Sequence, residues 1–410
     1  MITGKDIIYI STIEWTFLWQ SHQEIATRLA AAGNRVLYIE NTGLRAPRLS
    51  DAARVAARLR RWGTKRRPND EASTVSNIHV CSPLVLPPFG SAWRRALNRR
   101  LFLKTLKKTA DNLGFRDPII WTYLPTDTCV DLIRLLRSPD SLVVYYCVAD
   151  FTKLTTQVEQ LTKSESEILK LSDVVFASCS QLAQHAAELN TRVYLSPHGV
   201  NLEAFPQDAQ PDERDCPVEL SQLPRPIIGY VGGLHRHVDL GLIRKMASLK
   251  PEWSWVFVGS VQVPLGDLQD LPNVRFLGQK NHTELVHYLR NFDVCIVPYA
   301  NTEATATVLP TKINEYLAVG KPVVSTNIPA VREFNERHQV LSLTSGGPED
   351  FLAAITAALA TALDDEQIAR RRAVAAAADW KLRLEEISEI IEQHLAKGAG
   401  KPGNLEAERQ

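Results

Sequence analysis

Residues whose types and spacing could handle a phosphate are concentrated in one stretch, VPYANTEATATVLPTKINEYLAVGKPVVST (297–326). An apolar run ends at Tyr299, a small, hydroxyl-rich loop follows, Pro310 opens a helix, and Gly320 closes it before the next apolar run. A strand, loop and helix in this order aim the helix N-terminus at the carboxyl ends of the strands, where open α/β sheets bind ligands. The amides of Pro310–Thr311 and the next residues are therefore expected to be unpaired and to attract an anion. Lys312 in the first turn is unfavourable against the helix dipole, unless a phosphate lies between them. Glu315, one turn further, is placed to accept hydrogen bonds from ribose hydroxyls. A plain crossover helix with a solvated lysine and glutamate gives the same pattern residue by residue. The complete run Pro–Lys–Glu–Gly–Lys–Pro favours the phosphate.

Four other residues invite a chemical role. Asp150 follows a buried run and so stands at a sheet edge, where it could contact sugar or acceptor; a helix N-cap is an equal reading. Gln20 and His22 begin the first long helix and could face a diphosphate. His198 adjoins a glycine in a turn. For both histidines a purely structural role competes.

The elements that must position these residues alternate along the whole chain. DIIYI (6–10), RVLYIE (35–40), PIIW (118–121), LVVYYCV (142–148), VVFAS (174–178) and RVYLS (192–196) read as strands buried on both faces, with helical patterns between them. A second series follows: PIIGYVG (226–232), WSWVFVG (253–259), NVRFLG (273–278), DVCIVPY (293–299), PVVST (322–326) and QVLSL (339–343). Helical patterns occupy 20–32, 91–113, 126–136, 154–171 and 180–189 in the first series, and 238–249, 282–290, 311–319 and 348–363 in the second. The fold class is α/β, two doubly wound domains of similar size with a ligand cleft between them.

Several chemistries are excluded. Neither first strand is followed by GxGxxG, and no GxxxxGK[ST] occurs, so a dinucleotide-dependent dehydrogenase and a P-loop NTPase are out. The six cysteines are scattered without a CxxC pair, which suggests neither zinc nor a disulfide framework. No stretch approaches the roughly 18 to 20 apolar residues that cross a bilayer, and the N-terminus carries no secretory signal pattern. The expectation is a cytoplasmic protein.

PTKINEYLAVGKPVVS resembles the donor-binding segment of family-4 type (group 1) glycosyltransferases with the GT-B fold, in the bacterial branch that builds cell-surface polysaccharides. SPHGVN (196–201), GYVGGLHRHVDLGLI (229–243), LPNVRFLG (271–278) and ADWKLRLEEISEIIEQHL (378–395) resemble further segments of that family's second domain and terminal helix, while 18–40 and 143–154 resemble its first domain more loosely. The resemblance implies a first, acceptor- and membrane-facing Rossmann-like domain at 1–197, a nucleotide-sugar-binding domain at 198–375, a helix at 376–396 crossing back to the first domain, and a disordered tail at 397–410. It also implies transfer of a sugar from a UDP or GDP donor to a glycan or lipid-linked acceptor, retaining and without a metal. No cofactor is expected, and no DxD-like pair lies in a suitable loop. Donor contacts are carried to Pro310, Thr311, Lys312, Glu315, Gly233 and His198, with Arg236 standing for the basic residues that follow the family's glycine loop. The family's first motif glutamate falls on Thr307, which puts the sugar pose in question. A GT-B epimerase and a non-catalytic nucleotide-sugar-binding protein are the competing readings.

The formal net charge of +1 conceals an imbalance. Residues 1–200 carry 26 lysines and arginines against 18 acids, and residues 45–108 carry 16 against 3. On the pattern of 48–65, Arg54, Arg58, Arg61 and Lys65 share a stripe beside Trp62. Arg94, Arg95 and Arg99 begin a second run, WRRALNRRLFLKTLKK, which holds seven cations and no acid. Basic amphipathic helices lie on anionic bilayers. The expected partner is thus the inner membrane face rather than nucleic acid, for which no motif is present. A merely solvated basic face is the alternative.

Overall fold

The computed structural model describes residues 1–16, 19–40, 77–83, 92–206 and 216–398. Two compact units are formed, one by Met1–Ser196 together with the described residues from Leu384 onward, the other by Pro197–Arg383.

The first unit is built on seven parallel strands, β1 (Asp6–Ile10), β2 (Arg35–Ile39), β3 (Ile78–Cys81), β4 (Ile119–Thr122), β5 (Leu142–Cys147), β6 (Val174–Ala177) and β7 (Val193–Leu195), in the order β3-β2-β1-β4-β5-β6-β7. The second has six, β8 (Ile227–Val231), β9 (Ser254–Val258), β10 (Val274–Phe276), β11 (Val294–Val297), β12 (Val323–Thr326) and β13 (Leu341–Thr344), ordered β10-β9-β8-β11-β12-β13. Central strands β4, β5, β6, β8, β9 and β11 are buried at every residue. Helices cover both faces of a parallel sheet, so its strands lack polar alternation. In each sheet the chain order reverses at the middle, between β1 and β4 and between β8 and β11, and this switch point is where a doubly wound fold leaves room for a ligand.

Several elements escaped the sequence pattern, among them the helix Asp365–Ala377, the short helix Val218–Ser221, strand β3 and the helix Pro329–His338. Strand β3 lies at a sheet edge and only Ile78 of its four residues is buried, so it carries little apolar signal. The helix Pro329–His338 (PAVREFNERH) buries Ala330 and Val331 and is otherwise polar. The stretch read as one helix over 91–113 is α-helical at Ala92–Leu97, π-helical at Asn98–Leu103 and α-helical again at Lys104–Asn112. The last helix, Trp380–Gly398, begins in the second unit and passes into the first at Leu384. Its start is pinned by Trp380 N–H donating to Val200 O (3.0 Å), while Val200 N–H donates to Ala378 O (2.9 Å).

Candidate anion site at the β8/β11 switch point

Strand β8 ends in Tyr230 and Val231 and runs into Gly232, whose φ of 132° lies in a region that side chains avoid. Strand β11 runs through Pro298 into Tyr299. Between them comes Lys312, the first residue of the helix Lys312–Ala318. That helix is fixed against β8 by Tyr316, whose hydroxyl accepts from Val231 N–H (2.8 Å) and donates to Val231 O (3.2 Å). It stops where Gly320 turns to φ 79°, with Gly320 N–H bonded to Leu317 O and Lys321 N–H to Tyr316 O.

Lys312 is buried, at 8% exposure. Its Nζ donates to Tyr230 Oη (2.8 Å) and Tyr299 Oη (3.0 Å) and stands 4.3 and 5.1 Å from the two ring centroids. Tyr230 Oη in turn donates to Gly233 O (3.0 Å), so the lysine and the glycine loop are linked through one hydroxyl. A Cβ placed on Gly232 would come within 2.7 Å of Nζ, which puts the ammonium directly beneath this loop. Burial opposes the charge, but Tyr230 and Tyr299 more than offset it and hold the amine above its ordinary pKa. Burial pushes the Tyr230 hydroxyl up as well, so it stays protonated. The result is a buried ammonium whose hydrogen-bond partners are two tyrosine hydroxyls, with no carboxylate among them.

The loop adds further positive charge. Arg236 is exposed, and the half-buried His235 packs its ring 5.7 Å from Tyr299 and 5.3 Å from His237. His235 Nδ1 accepts from His237 N–H (3.3 Å), leaving Nε2 to carry the proton of the neutral ring. Burial, then Lys312, His237 and Arg236, lower His235 to a pKa of about 4. His237 is lowered too, by burial and by Arg236.

The structure revises several expectations. Pro310 has no N–H, and its carbonyl, with that of Thr311, accepts from Ile313 and Asn314 N–H (both 3.1 Å). The amides of Ile313 and Asn314 are therefore spent in a tight turn, and Pro310 has none to offer, which leaves side-chain cations as the main positive groups here. Lys312 is packed from behind rather than presented at a helix tip. Glu315 keeps its place on the helix, 20% exposed, with His282 Nε2 3.9 Å from its carboxylate. Gly233 contributes its carbonyl to Tyr230. His198 offers its carbonyl to Asn314 Nδ2 (3.0 Å), while its ring stands edge-on to Trp380 with Nδ1 sealed from solvent, and burial lowers it to about 4.

In the first unit Asp150 caps the short 3₁₀ helix Phe151–Leu154, accepting from Thr152 N–H (3.0 Å). Gln20 is exposed at the N-terminus of the helix Ser21–Ala31, its amide donating to Gln23 Oε1 (3.2 Å). His22 is buried, with Nδ1 3.0 Å from Ser11 Oγ and its ring 3.9 Å from that of Tyr123. Arg54, Arg58, Arg61, Trp62 and Lys65 lie outside the described residues. Arg95 makes a two-pronged contact with buried Asp131 (2.8 and 2.9 Å), and Arg99 reaches the same carboxylate at 3.3 Å. Arg94 stands over the Trp93 ring. Because Leu103, Leu106 and Ala110 pack inward, the outer face of this helix is cationic: Arg94, Arg99, Arg100, Lys104, Lys107 and Lys108 are exposed beside a 60% exposed Trp93.

Comparison with known proteins now bears on this geometry. The family model for glycosyl transferases group 1 matches residues 225–361, a span that contains the whole Gly232–His237 loop, both tyrosines, Lys312 and Glu315. Over residues 225–361 the chain is similar to the group 1 glycosyltransferases. A Bacillus subtilis (strain 168) protein whose name describes it as a teichuronic acid biosynthesis glycosyltransferase, TuaH, is 28% identical over 244 residues, which is 57% of this chain and 61% of that protein's length. Among solved structures, sucrose-phosphate synthase from Thermosynechococcus elongatus superposes with a TM-score of 0.67 at 19% identity, covering 96% of this chain and all of that one. Anabaena Alr3699/HepE in complex with UDP gives 0.65 at 12% identity, covering 95% of this chain and 100% of that one. The fold is that of the GT-B glycosyltransferases. Sequence reasoning found Lys312 and Glu315 within this span, but missed Tyr230, Tyr299 and Tyr316, which read as ordinary core residues at strand ends and on a helix.

Proposed function

We propose that this chain transfers a sugar from a nucleoside-diphosphate donor to a glycan or lipid-linked acceptor in the assembly of a cell-surface polysaccharide. The observation that carries the reading is the buried Lys312 ammonium, held by two tyrosine hydroxyls beneath the Gly232 loop in the span that matches the group 1 glycosyltransferases. A buried cation that lacks a carboxylate is costly alone and becomes favourable when a ligand brings the negative charge. UDP bound to HepE, a protein of the same fold, supports a uridine or related nucleotide as that ligand.

In the reaction the bond between the sugar's anomeric carbon and the diphosphate oxygen breaks, and a new bond forms to the acceptor oxygen. Lys312, with Arg236 and His235 on the loop, stabilises charge that grows on the departing diphosphate, the place where fixed electrostatics contribute most. Glu315 accepts from the ribose hydroxyls. The acceptor's proton passes to the departing diphosphate, so neither a metal nor a dedicated protein base is required, and configuration is retained. The cationic face of 92–108 fits an anionic bilayer, where each cation near the surface contributes about 1 kcal/mol. Among the described residues no helix is long and apolar enough to cross a membrane, so the contact is peripheral, with Trp93 at the headgroup level.

The experiment is a thermal-stability screen with UDP, GDP and TDP, followed by transfer assays with the stabilising nucleotide's sugars, with and without acceptors. A rise in melting temperature with one nucleotide and turnover only with acceptor is expected. No stabilisation by any of the three would sink the donor site, and turnover without acceptor would indicate an epimerase. Co-sedimentation with anionic but not neutral vesicles, abolished by salt, is expected for the membrane contact.

A further inference from the structure

The glycine loop holds two histidines in a neighbourhood that contains cations, and among the described residues no carboxylate acts on either ring. His235 is approached by Lys312 from the helix Lys312–Ala318, by Tyr299 from the end of β11, and by Arg236 and His237 from its own loop. Tyr230, on β8, stands on the other side of Lys312. The acid nearest in the loop is Asp239, and its carboxylate is spent capping the helix Leu240–Leu249, accepting from Leu242 N–H at 2.8 Å.

We infer that His235 is a proton-coupled contact for the donor's diphosphate: the anion that settles beside Lys312 draws a proton onto His235, and donor affinity tightens as pH falls. The inference rests on the assignment of this site to a nucleoside diphosphate and specifies how the site is charged. Without ligand, burial and the surrounding cations keep the ring neutral, at a pKa of about 4. A diphosphate reverses the sign of that field, because an opposite charge within a few ångströms favours the protonated ring. Nε2–H is already a donor, and protonation at Nδ1 gives up the 3.3 Å bond accepted from His237 N–H and makes both ring nitrogens donors. A fixed arginine or lysine at this position would bind at any pH. The histidine makes affinity depend on pH in the window between about 4 and the pKa of the bound state.

Isothermal titration of UDP, with GDP and inorganic pyrophosphate in parallel, tests this at pH 6.0 and 7.5 in buffers of differing ionisation enthalpy. Linkage sets the direction: proton uptake on binding means a lower Kd at lower pH, by roughly five- to tenfold over this interval for one histidine. Since the terminal phosphate of the nucleotide itself titrates near pH 6, the quantity read is the difference between the parent and His235→Gln. The parent is expected to take up about one more proton than H235Q at pH 6.0, and H235Q is expected to lose the tightening. His235→Lys is expected to bind with a flat pH profile, and its melting temperature reports whether the loop still folds. Equal proton uptake by parent and H235Q overturns the inference while UDP binding leaves the donor site standing. Uptake that persists in H235Q and vanishes in His237→Gln also overturns it, by moving the proton to the neighbouring ring. Absence of binding by all three anions overturns both the inference and the donor site.

Discussion

The two sheets share one winding, yet the carboxyl ends of their central strands are furnished differently. In the first unit, Tyr9 and Tyr123 hydroxyls meet at 2.5 Å, Tyr38 Oη donates to Ser11 Oγ (2.7 Å), and Ser11 Oγ reaches His22 Nδ1 (3.0 Å). Burial pushes Tyr9, Tyr38 and Tyr123 up, so all three are neutral hydroxyls. In the second unit two tyrosine hydroxyls again line the strand ends, but they converge on an ammonium. The first arrangement satisfies itself, hydroxyl to hydroxyl to imidazole. The second has a positive charge left over. A single lysine among tyrosines thus separates a closed network of hydroxyls from one that calls for an anion, and on the function proposed above that anion is the donor's diphosphate.

Four substitutions break or sharpen that contrast. The largest effect is expected from Lys312→Met, which removes the charge but keeps most of the volume: UDP affinity falls about 100-fold, the scale of a charge-assisted hydrogen bond. Its melting temperature stays level or rises, because a buried charge no longer needs compensation. A K312M protein that loses stability and keeps UDP would mean that the lysine serves packing alone. Next comes Gly232→Ala. The new methyl would stand 2.7 Å from Nζ at a φ of 132°, displacing the lysine and straining the loop, and chemical denaturation is expected to show a loss of about 2 kcal/mol.

A smaller effect concerns acid stability. His198 is held near a pKa of about 4, below its ordinary 6.5, so as pH falls through 6.5 the unfolded chain binds a proton that the folded one refuses. Stability therefore drops between pH 6.5 and about 4, by on the order of 1–3 kcal/mol, and His198→Phe flattens that limb in denaturant melts. An acid limb identical in H198F would show that the ring is solvated. The least effect on the ligand is expected from Tyr123→Phe in the first unit. It opens the hydroxyl pair at a cost of about 1 kcal/mol in stability and leaves UDP affinity unchanged; a large loss of affinity would break the contrast between the two networks.

Much of this was legible from residue order. The central strands β4, β5, β6, β8, β9 and β11 stand out as continuous apolar runs because they are buried at every residue, and the edge strands β7 and β10 are legible from β-branched and aromatic residues such as Val193, Tyr194, Val274 and Phe276. β3 does not stand out, since its four residues, IHVC, include a histidine and only Ile78 is buried. The segment around Pro310 announces an anion site through Lys312 and Glu315, but it does not tell which of the first amides of the helix are spent. Whether a helix's first amides are free depends on how its first turn closes, and here Ile313 and Asn314 bond back to Pro310 and Thr311. Nor does local sequence say where a lysine side chain goes. Lys312 finds Tyr230 across 82 positions of chain, and an aromatic at the end of a buried strand reads as core until that pairing is seen. The basic run at 93–108 was visible as charge, yet the inward turn of its apolar side and the capture of Arg95 by Asp131 belong to tertiary packing.

The central claim is that the Lys312 ammonium is the counter-charge for the donor's diphosphate. A structure of the protein with UDP bound tests it most directly. The account predicts a phosphate oxygen in the Gly232–Arg236 loop within hydrogen-bonding reach of Lys312 Nζ, about 2.7–3.2 Å, with Tyr230 and Tyr299 still holding the amine. A diphosphate seated elsewhere, with Lys312 bonded to its two tyrosines alone, would contradict it.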